Sequence, residues 1–354
     1  MAYTTVDNPE LFFQTKLFTG TGSGTQAVTL DGSENMQPDF VWTKDREADS
    51  SHDLYDSVRG VGKQIYSDSD AVEFTNLNNL YSFNEDGFSL AQSANDDVTN
   101  KSGDNFIAWC WKGGGAAVTN NDGSNSVTLS ANPEAGFSII QWAGTDANAT
   151  VGHGLGKKPK FFIVRSKTHG QNWFTYHEGT GATKNPRLND AALPYTNSNI
   201  WNDTAPTDTV INLGSSSGVN GNGNTYICYC WTEISGFSSF GTYIGTGNAE
   251  GPHVFTGFKP AWIMTKSISG NTSNWNIFDL KRPGRNPTND RLFTNDASAE
   301  TDGSASDNQI RILSTGFKPT GSNVDTNGAG SEYIYIAYAE EPTFTPFGTQ
   351  SNPS

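Results

Sequence analysis

Three short apolar stretches recur along the chain, each preceded by a polar turn that contains glycine. They are residues 106–111, 226–231 and 333–338. Aromatic and β-branched residues fit a pleated surface, and so short a run between turns is typical of a buried strand. Alternate residues of a strand face opposite ways, so Ile107 and Trp109 would share one face, and Ala108 and Cys110 the other. Both faces are apolar, and we therefore expect each stretch to be a central strand.

A second repeated pattern is a proline followed by an apolar strand that ends in a basic residue. Its copies run from residue 38 to 44, 159 to 165 and 260 to 266. Proline is tolerated at the first residue of a strand because its missing N–H need not join the ladder. With the other short runs, the pattern predicts six to eight strands in each unit of roughly 100 residues. We predict an all-β fold of three tandem antiparallel β-sandwich units, of the jelly-roll or lectin-like kind.

The repeats also suggest boundaries. The predicted parts are a first unit with the N-terminal segment (1–112), a linker (113–135), a second unit (136–235), a third unit (236–342) and a flexible tail (343–354). The linker is rich in Gly, Asn and Ser, and we expect it to carry one strand near Ser126 to Leu129. The tail contains prolines and shows no periodicity.

Charge and composition exclude several classes of protein. The formal net charge of −15 would repel nucleic acid and anionic membranes. No apolar run approaches the roughly 20 residues that cross a bilayer, and residues 1–15 do not resemble a signal peptide. Three cysteines at strand positions make a poor disulfide framework, so we expect free, buried thiols. These features predict a soluble protein without an export signal of its own.

Candidate catalytic groups are few. His52, Asp56 and Ser57 are the residue types of a triad, but Ser57 would face away from the other two on a strand. We instead expect Asp56 to pair with Arg59, and Asp279 with Arg282, as partly exposed ion pairs across tight turns. A glycosidase would need a second carboxylate roughly 5 Å from the pair at residues 85–86. We predict that the protein is not an enzyme.

Acidic loops are the candidate metal ligands. They lie at residues 68–70, 95–97 and 120–123, where clustered oxygen atoms could hold Ca²⁺. None has the spacing of an EF-hand, and each is more typical of a solvated turn. We predict no cofactor, with loop Ca²⁺ as the alternative.

Three tryptophans are the candidate ligand-binding residues: Trp173, Trp201 and Trp275. Trp201 lies in a polar segment that reads as a loop. An exposed aromatic face beside Asn and Asp groups suits a sugar, because the ring meets C–H groups while the polar groups meet hydroxyls. The alternative is that such a ring packs over the end of a sandwich.

Several longer stretches carry a family resemblance. They are residues 35–42, 52–60, 85–88 and 106–114, followed by 152–156, 260–262 and 333–340. Together they resemble a repeated domain of structural proteins from marine tailed bacteriophages, including viruses of cyanobacteria. The resemblance covers about residues 12–342. It implies a virion structural protein: a tail fibre, tail appendage or surface protein that binds a host-surface glycan.

The resemblance leaves two other functions open. One is a capsid decoration or tail-connecting scaffold protein without a ligand, and the other is a polysaccharide-degrading tailspike. For all three it implies assembly in the host cytoplasm and a final place in the virion. The expected partners are other virion proteins and further copies of the chain, with a homotrimer as the expected oligomer.

Overall fold

A computed structural model of the protein describes residues 5–22, 24–91, 99–282, 286–303 and 308–339. The described part is all-β, as predicted. Its helices are one turn of 3₁₀-helix at Pro9–Leu11 and the α-helix α1 at Ser198–Trp201. No helix in these ranges has the length and apolar character needed to span a bilayer. The predicted tail, 343–354, lies outside the described residues.

The strands are short and are numbered along the chain. The first nine are β1 (Phe13–Thr19), β2 (Thr25–Val28), β3 (Phe40–Asp45), β4 (Asp53–Asp56), β5 (Lys63–Tyr66), β6 (Phe74–Thr75), β7 (Leu80–Phe83), β8 (Phe88–Ala91) and β9 (Asn105–Trp111). The next ten are β10 (Val118–Asn120), β11 (Val127–Asn132), β12 (Phe137–Ala143), β13 (Ala149–Gly152), β14 (Phe161–Ser166), β15 (Phe174–His177), β16 (Lys184–Asn185), β17 (Tyr195–Thr196), β18 (Val210–Leu213) and β19 (Thr225–Trp231). The last nine are β20 (Ser238–Ile244), β21 (Val254–Phe255), β22 (Pro260–Ser267), β23 (Asn276–Asp279), β24 (Asp290–Phe293), β25 (Thr301–Asp302), β26 (Gln309–Leu313), β27 (Gly316–Thr320) and β28 (Glu332–Ala339).

Three six-stranded antiparallel sheets dominate the described chain. The first large sheet has the order β1-β9-β3-β4-β5-β6, the second β10-β11-β12-β19-β14-β15, and the third β20-β28-β22-β23-β24-β25. The apolar strands β9, β19 and β28 each lie between two others, which confirms their predicted central position. Smaller sheets accompany them, with the orders β2-β8-β7, β13-β18, β21-β27-β26 and β16-β17.

The stretch predicted as a linker is part of a sheet. The expected strand is present as β11, and β10 pairs with it. β11 in turn pairs with β12, so both strands extend the second large sheet at its edge. Residues 113–135 therefore hold this sheet in place as well as connecting it to the first.

The inner faces of the three large sheets share one hydrophobic core. Trp111, Trp231 and Tyr338 occupy the same position in the three central strands, and all three are buried in this core. The ring centroids of Trp111 and Trp231 are 6.1 Å apart, and those of Trp111 and Tyr338 are 5.9 Å apart. Phe40 stacks on Tyr229 with centroids 4.0 Å apart, which joins the first sheet to the second. The inner faces of the three large sheets therefore bury one another.

Each large sheet covers a second core on its outer face. Beneath the first sheet, Val41 and Cys110 pack with Leu80 and Phe88 of the small sheet β2-β8-β7. The second and third large sheets have equivalent outer clusters, which include residues of β13-β18 and of β21-β27-β26. Successive residues of a central strand thus face opposite cores, as the pattern around Ile107 and Ala108 predicts.

Buried polar side chains link each large sheet to its neighbours. The indole of Trp173 donates a hydrogen bond of 2.7 Å to the carbonyl of Tyr66, and Trp275 donates one of 2.8 Å to the carbonyl of Arg187. Arg165 donates to the carbonyl of Ala71, in a loop that follows the first sheet's β5. Burial lowers the pKa of Arg165 to about 10. The two indole N–H groups are thereby satisfied, and an unpaired buried donor would be costly.

An ion-pair network joins the third large sheet back to the first. Glu300 accepts two hydrogen bonds from Arg46, of 2.7 and 3.0 Å, and a third of 3.0 Å from Arg282. The backbone N–H of Glu300 also donates to the carbonyl of Arg46. The first and third sheets are distant in sequence, so these contacts complete the ring of three sheets.

Candidate ligand cleft

The residue types of a triad are present but are not assembled. His52 is buried and accepts a hydrogen bond of 3.0 Å from the indole of Trp42. Burial lowers the pKa of His52 well below its usual value, so the ring is neutral. Asp56 pairs with Arg59, while Ser57 donates to Asp39. Each group has its own structural partner, and none activates another.

The two Asp–Arg pairs form as predicted, but the expectation that they are partly exposed is wrong. The side chains of Asp56, Arg59, Asp279 and Arg282 are all fully buried. The hydroxyl of Tyr229 donates to Asp56 at 2.7 Å and accepts from Arg59 at 3.0 Å. Burial against the second sheet therefore makes the first pair part of the central core.

The tryptophans predicted to bind a ligand are also buried. Trp173 and Trp275 are 0% exposed, and Trp201 is 1% exposed. Trp173 and Trp275 lie in the central core, and Trp201 packs edge-on against Phe162 with centroids 4.9 Å apart. The expectation that these rings are exposed is wrong, because neighbouring sheets and loops cover the polar segments in which they lie. Their faces are not available to a sugar in this conformation.

The acidic loops make internal hydrogen bonds where they are described. Asp68 accepts from the hydroxyl of Ser51 and from the backbone N–H of His52, each at 3.0 Å. The loop at 95–97 lies outside the described residues. Within the described ranges, no group of three or more His, Cys, Asp or Glu side chains is placed to hold a metal ion.

A polar recess lies where β3 and β9 of the first large sheet meet β11 of the second. It has a volume of about 380 Å³, within the range of small-molecule sites. We call it the Asp39 cleft; it is lined by Gln37, Asp39, Lys112, Gly113, Gly114, Gly115, Ala131, Asn132 and Pro133.

A carboxyl group lies at the wall of this cleft. Asp39 is 3% exposed. Its Oδ1 accepts from the hydroxyl of Ser57 at 2.7 Å, and its Oδ2 accepts from the N–H of Gly113 at 2.9 Å. Burial raises the pKa of Asp39, although these bonds and the nearby Lys112 ammonium oppose the change. A buried carboxyl with a raised pKa beside a recess is a recurrent feature of binding sites.

Glycine is required in the loop that forms the opposite wall. A Cβ on Gly114 would lie 2.1 Å from the carbonyl oxygen of Ala131. Gly115 has a φ of +78°, which favours glycine. Ser130 fixes this loop, since its hydroxyl accepts from the N–H of Gly114 at 2.9 Å and donates to the carbonyl of Gly115 at 2.8 Å. The sequence therefore builds a defined wall here.

The equivalent positions in the other two large sheets differ in chemistry. In each large sheet, the residue that follows the repeated proline accepts a hydrogen bond at its backbone carbonyl. The donor is the backbone N–H of the residue that follows the next strand. Those pairs are Asp39 with Ser57, Lys160 with Glu178, and Ala261 with Leu280. The second sheet has a surface ion pair between Lys160 and Glu178 at these positions, where the first sheet has the buried carboxyl of Asp39. The cleft is thus specific to the first sheet and is not imposed by the repeated fold.

Sequence reasoning missed this cleft. The sequence pattern predicts that Gly113 to Gly115 begin a linker and that Asp39 belongs to a strand. The available signal was Asp39 itself, because the matching positions carry Lys160 and Ala261. One carboxyl and one ammonium group among the lining residues can exchange hydrogen bonds with a polar ligand, but cannot supply the two carboxylates of a glycosidase.

Comparison with known proteins gives one match. The model of a domain of unknown function, DUF7483, matches residues 8–342. Neither the search of curated proteins nor the search of solved structures found a match. Since the matched region covers nearly all of the sequence, the chain belongs to the DUF7483 family.

Proposed function

We propose that the chain is a non-enzymatic structural protein of a bacteriophage virion, exposed on a tail or on the particle surface. It is assembled in the host cytoplasm, contacts other virion proteins and binds a host-surface glycan. In this proposal the chain consists of three sandwich units, each formed by a large sheet and its small partner sheet. The support from sequence is the resemblance of residues 12–342 to virion proteins.

The observation that carries the proposal is the shared core. All nine tryptophans of the chain are buried, and the inner faces of three sheets meet around Trp111, Trp231 and Tyr338. Large aromatic side chains contribute most to the stability of a core. The core is closely packed, since the cavity between these rings is about 10 Å³. A closely packed core of this kind suits a load-bearing or presenting role.

The acidic character supports a surface location. A net charge of −15 keeps the chain soluble and disfavours nucleic acid as a partner. The homotrimer stays a prediction. The three large sheets already meet within one chain, so a trimer would add copies around a body that is itself built from three similar sheets.

Particle fractionation tests this proposal. An antibody against the purified chain is applied to particles from the lysed host, purified on a density gradient. The proposal expects the antigen to sediment with the particles and the antibody to label their outer surface in electron micrographs. Pre-absorption of the antibody with the purified chain is the control.

The position of the label separates the related functions. Label on the tail favours the fibre or appendage, whereas label on capsid lattice points favours the decoration protein. Antigen confined to the soluble fraction would contradict every version of the proposal.

A further inference from the structure

The Asp39 cleft has the lining that a neutral sugar requires. Asp39 offers carboxylate acceptors, and Lys112 offers ammonium donors. Gln37 and Asn132 each carry an amide with both kinds of group. Sugar hydroxyls donate and accept at once, so a wall of mixed donors and acceptors matches them better than a wall of one kind.

The apolar part of the lining is small and one-sided. Ala131 and Pro133 lie beside Asn132 at the β11 edge of the cleft. They offer a short apolar surface to the C–H groups of a pyranose ring. No aromatic side chain is among the nine lining residues, so a flat aromatic ligand would lack a stacking partner.

Charge argues against an anionic ligand. The lining carries one carboxyl and one ammonium group, and the whole chain has a net charge of −15. A uronic acid or a sulfated sugar would meet the Asp39 carboxyl, already tied to Ser57 and Gly113. Like charges in a partly buried site cost binding energy. The ligand class that remains is a neutral hexose or N-acetylhexosamine.

We propose that the Asp39 cleft binds a neutral sugar unit of a polysaccharide, with Asp39 and Lys112 as the main hydrogen-bonding residues. Gly113 and Ser57 hold the Asp39 carboxyl in place. The proposal rests on the proposed function, because it names the sugar class and the site through which a surface protein would bind a host glycan. Several weak sites of this kind on one particle would bind strongly together.

A glycan array on the purified full chain tests this site. The probes are immobilised oligosaccharides of neutral hexoses and N-acetylhexosamines, with uronic-acid and sulfated oligosaccharides as charged comparators. Affinity for the best neutral probe is then measured by calorimetry for four proteins: the unchanged chain, Asp39→Asn, Gln37→Trp and Glu178→Gln. Circular dichroism checks that each variant is folded.

The variants separate the cleft from the rest of the surface. Asp39→Asn removes the carboxylate, and Gln37→Trp fills the mouth of the cleft from an exposed position and leaves the carboxylate in the chain. We expect each to weaken binding about tenfold or more. Glu178→Gln removes a surface carboxylate of the second large sheet, at the position that matches Ser57, and should bind as the unchanged chain does. Should Asp39→Asn fail to fold, Gln37→Trp decides alone.

Three results would overturn the proposal: no binding to any neutral probe, binding confined to charged probes, or neutral binding that survives both cleft variants. Particle labelling is read out separately. Sugar binding by a chain that is absent from particles would remove the virion role and keep the site. Labelled particles with a chain that binds no sugar would keep the virion role and remove the sugar site.

Discussion

The hydroxyl of Tyr229 offers a sharp test of how the first and second large sheets are joined. It comes from the central strand of the second sheet and reaches the buried Asp56–Arg59 pair of the first. The substitution Tyr229→Phe removes this one atom and keeps the ring that stacks on Phe40. The substitution therefore changes the polar link between sheets without opening a cavity.

The expected loss of stability follows from the hydrogen bonds that Asp56 and Arg59 keep after the substitution. After the substitution, Asp56 still accepts from the N–H of Arg59 at 2.7 Å, and Arg59 still donates to the carbonyl of Leu54 at 2.8 Å. Neither ion is orphaned, so the loss is that of hydrogen bonds to charged groups. Such bonds contribute about 1.5–3 kcal/mol each when buried. We expect the free energy of unfolding to fall by about 3 kcal/mol.

Tyr226→Phe is the matched control on the same strand. The Tyr226 hydroxyl donates to the carbonyl of Ser217 at 2.6 Å and accepts from the N–H of Gly221 at 2.7 Å, within one sheet's own loop. These partners are neutral, and the first is partly exposed, so a loss of about 1 kcal/mol is expected. Both variants are compared with the unchanged chain by urea titration followed by tryptophan fluorescence. If Tyr229→Phe costs no more than Tyr226→Phe, the polar link between sheets does not have the proposed role.

Two further substitutions test other contacts between the large sheets, and a third serves as a control. Burial lowers the pKa of His177 to about 4, although its contact with the Tyr335 carbonyl partly offsets the change. Between pH 6.5 and pH 4 the unfolded chain therefore binds a proton that the folded chain does not. Each pH unit of acidification in that window should lower the free energy of unfolding by about 1.4 kcal/mol. In His177→Gln this pH dependence of the free energy of unfolding should disappear, as measured by denaturation curves at several pH values. An unchanged pH dependence would contradict a buried neutral ring. Glu300→Gln should lower the free energy of unfolding by about 2 kcal/mol, because it weakens the pair with Arg46 that closes the ring of sheets. Glu178→Gln breaks an exposed pair and should cost under about 1 kcal/mol, so equal losses in the two variants would contradict the closing role of Glu300.

Periodicity predicted most of the secondary structure, because strand alternation is a local property. The central strands and the two faces of β9 follow from the residues around Ile107 and Ala108. The shared core does not, since an apolar inner face looks the same whether it meets a small sheet or two other large sheets. For that reason Trp173 and Trp275 were expected at the surface, although their polar flanks are covered by neighbouring loops.

The Asp39 cleft shows a second limit of the sequence. Its walls come from β3, the loop after β9 and the edge of β11, and their meeting depends on how two sheets pack. The glycines of the loop are typical of a linker, whereas contacts with Ser130 and Ala131 fix them in a wall of the cleft. Only the departure of Asp39 from its repeat partners pointed to a site.

Differential scanning calorimetry tests the central claim, that the three large sheets form one core, most directly. A shared core predicts one unfolding transition whose calorimetric and van't Hoff enthalpies agree. Three separately cored units would unfold independently. Resolved transitions, or a calorimetric enthalpy about three times the van't Hoff value, would contradict the claim.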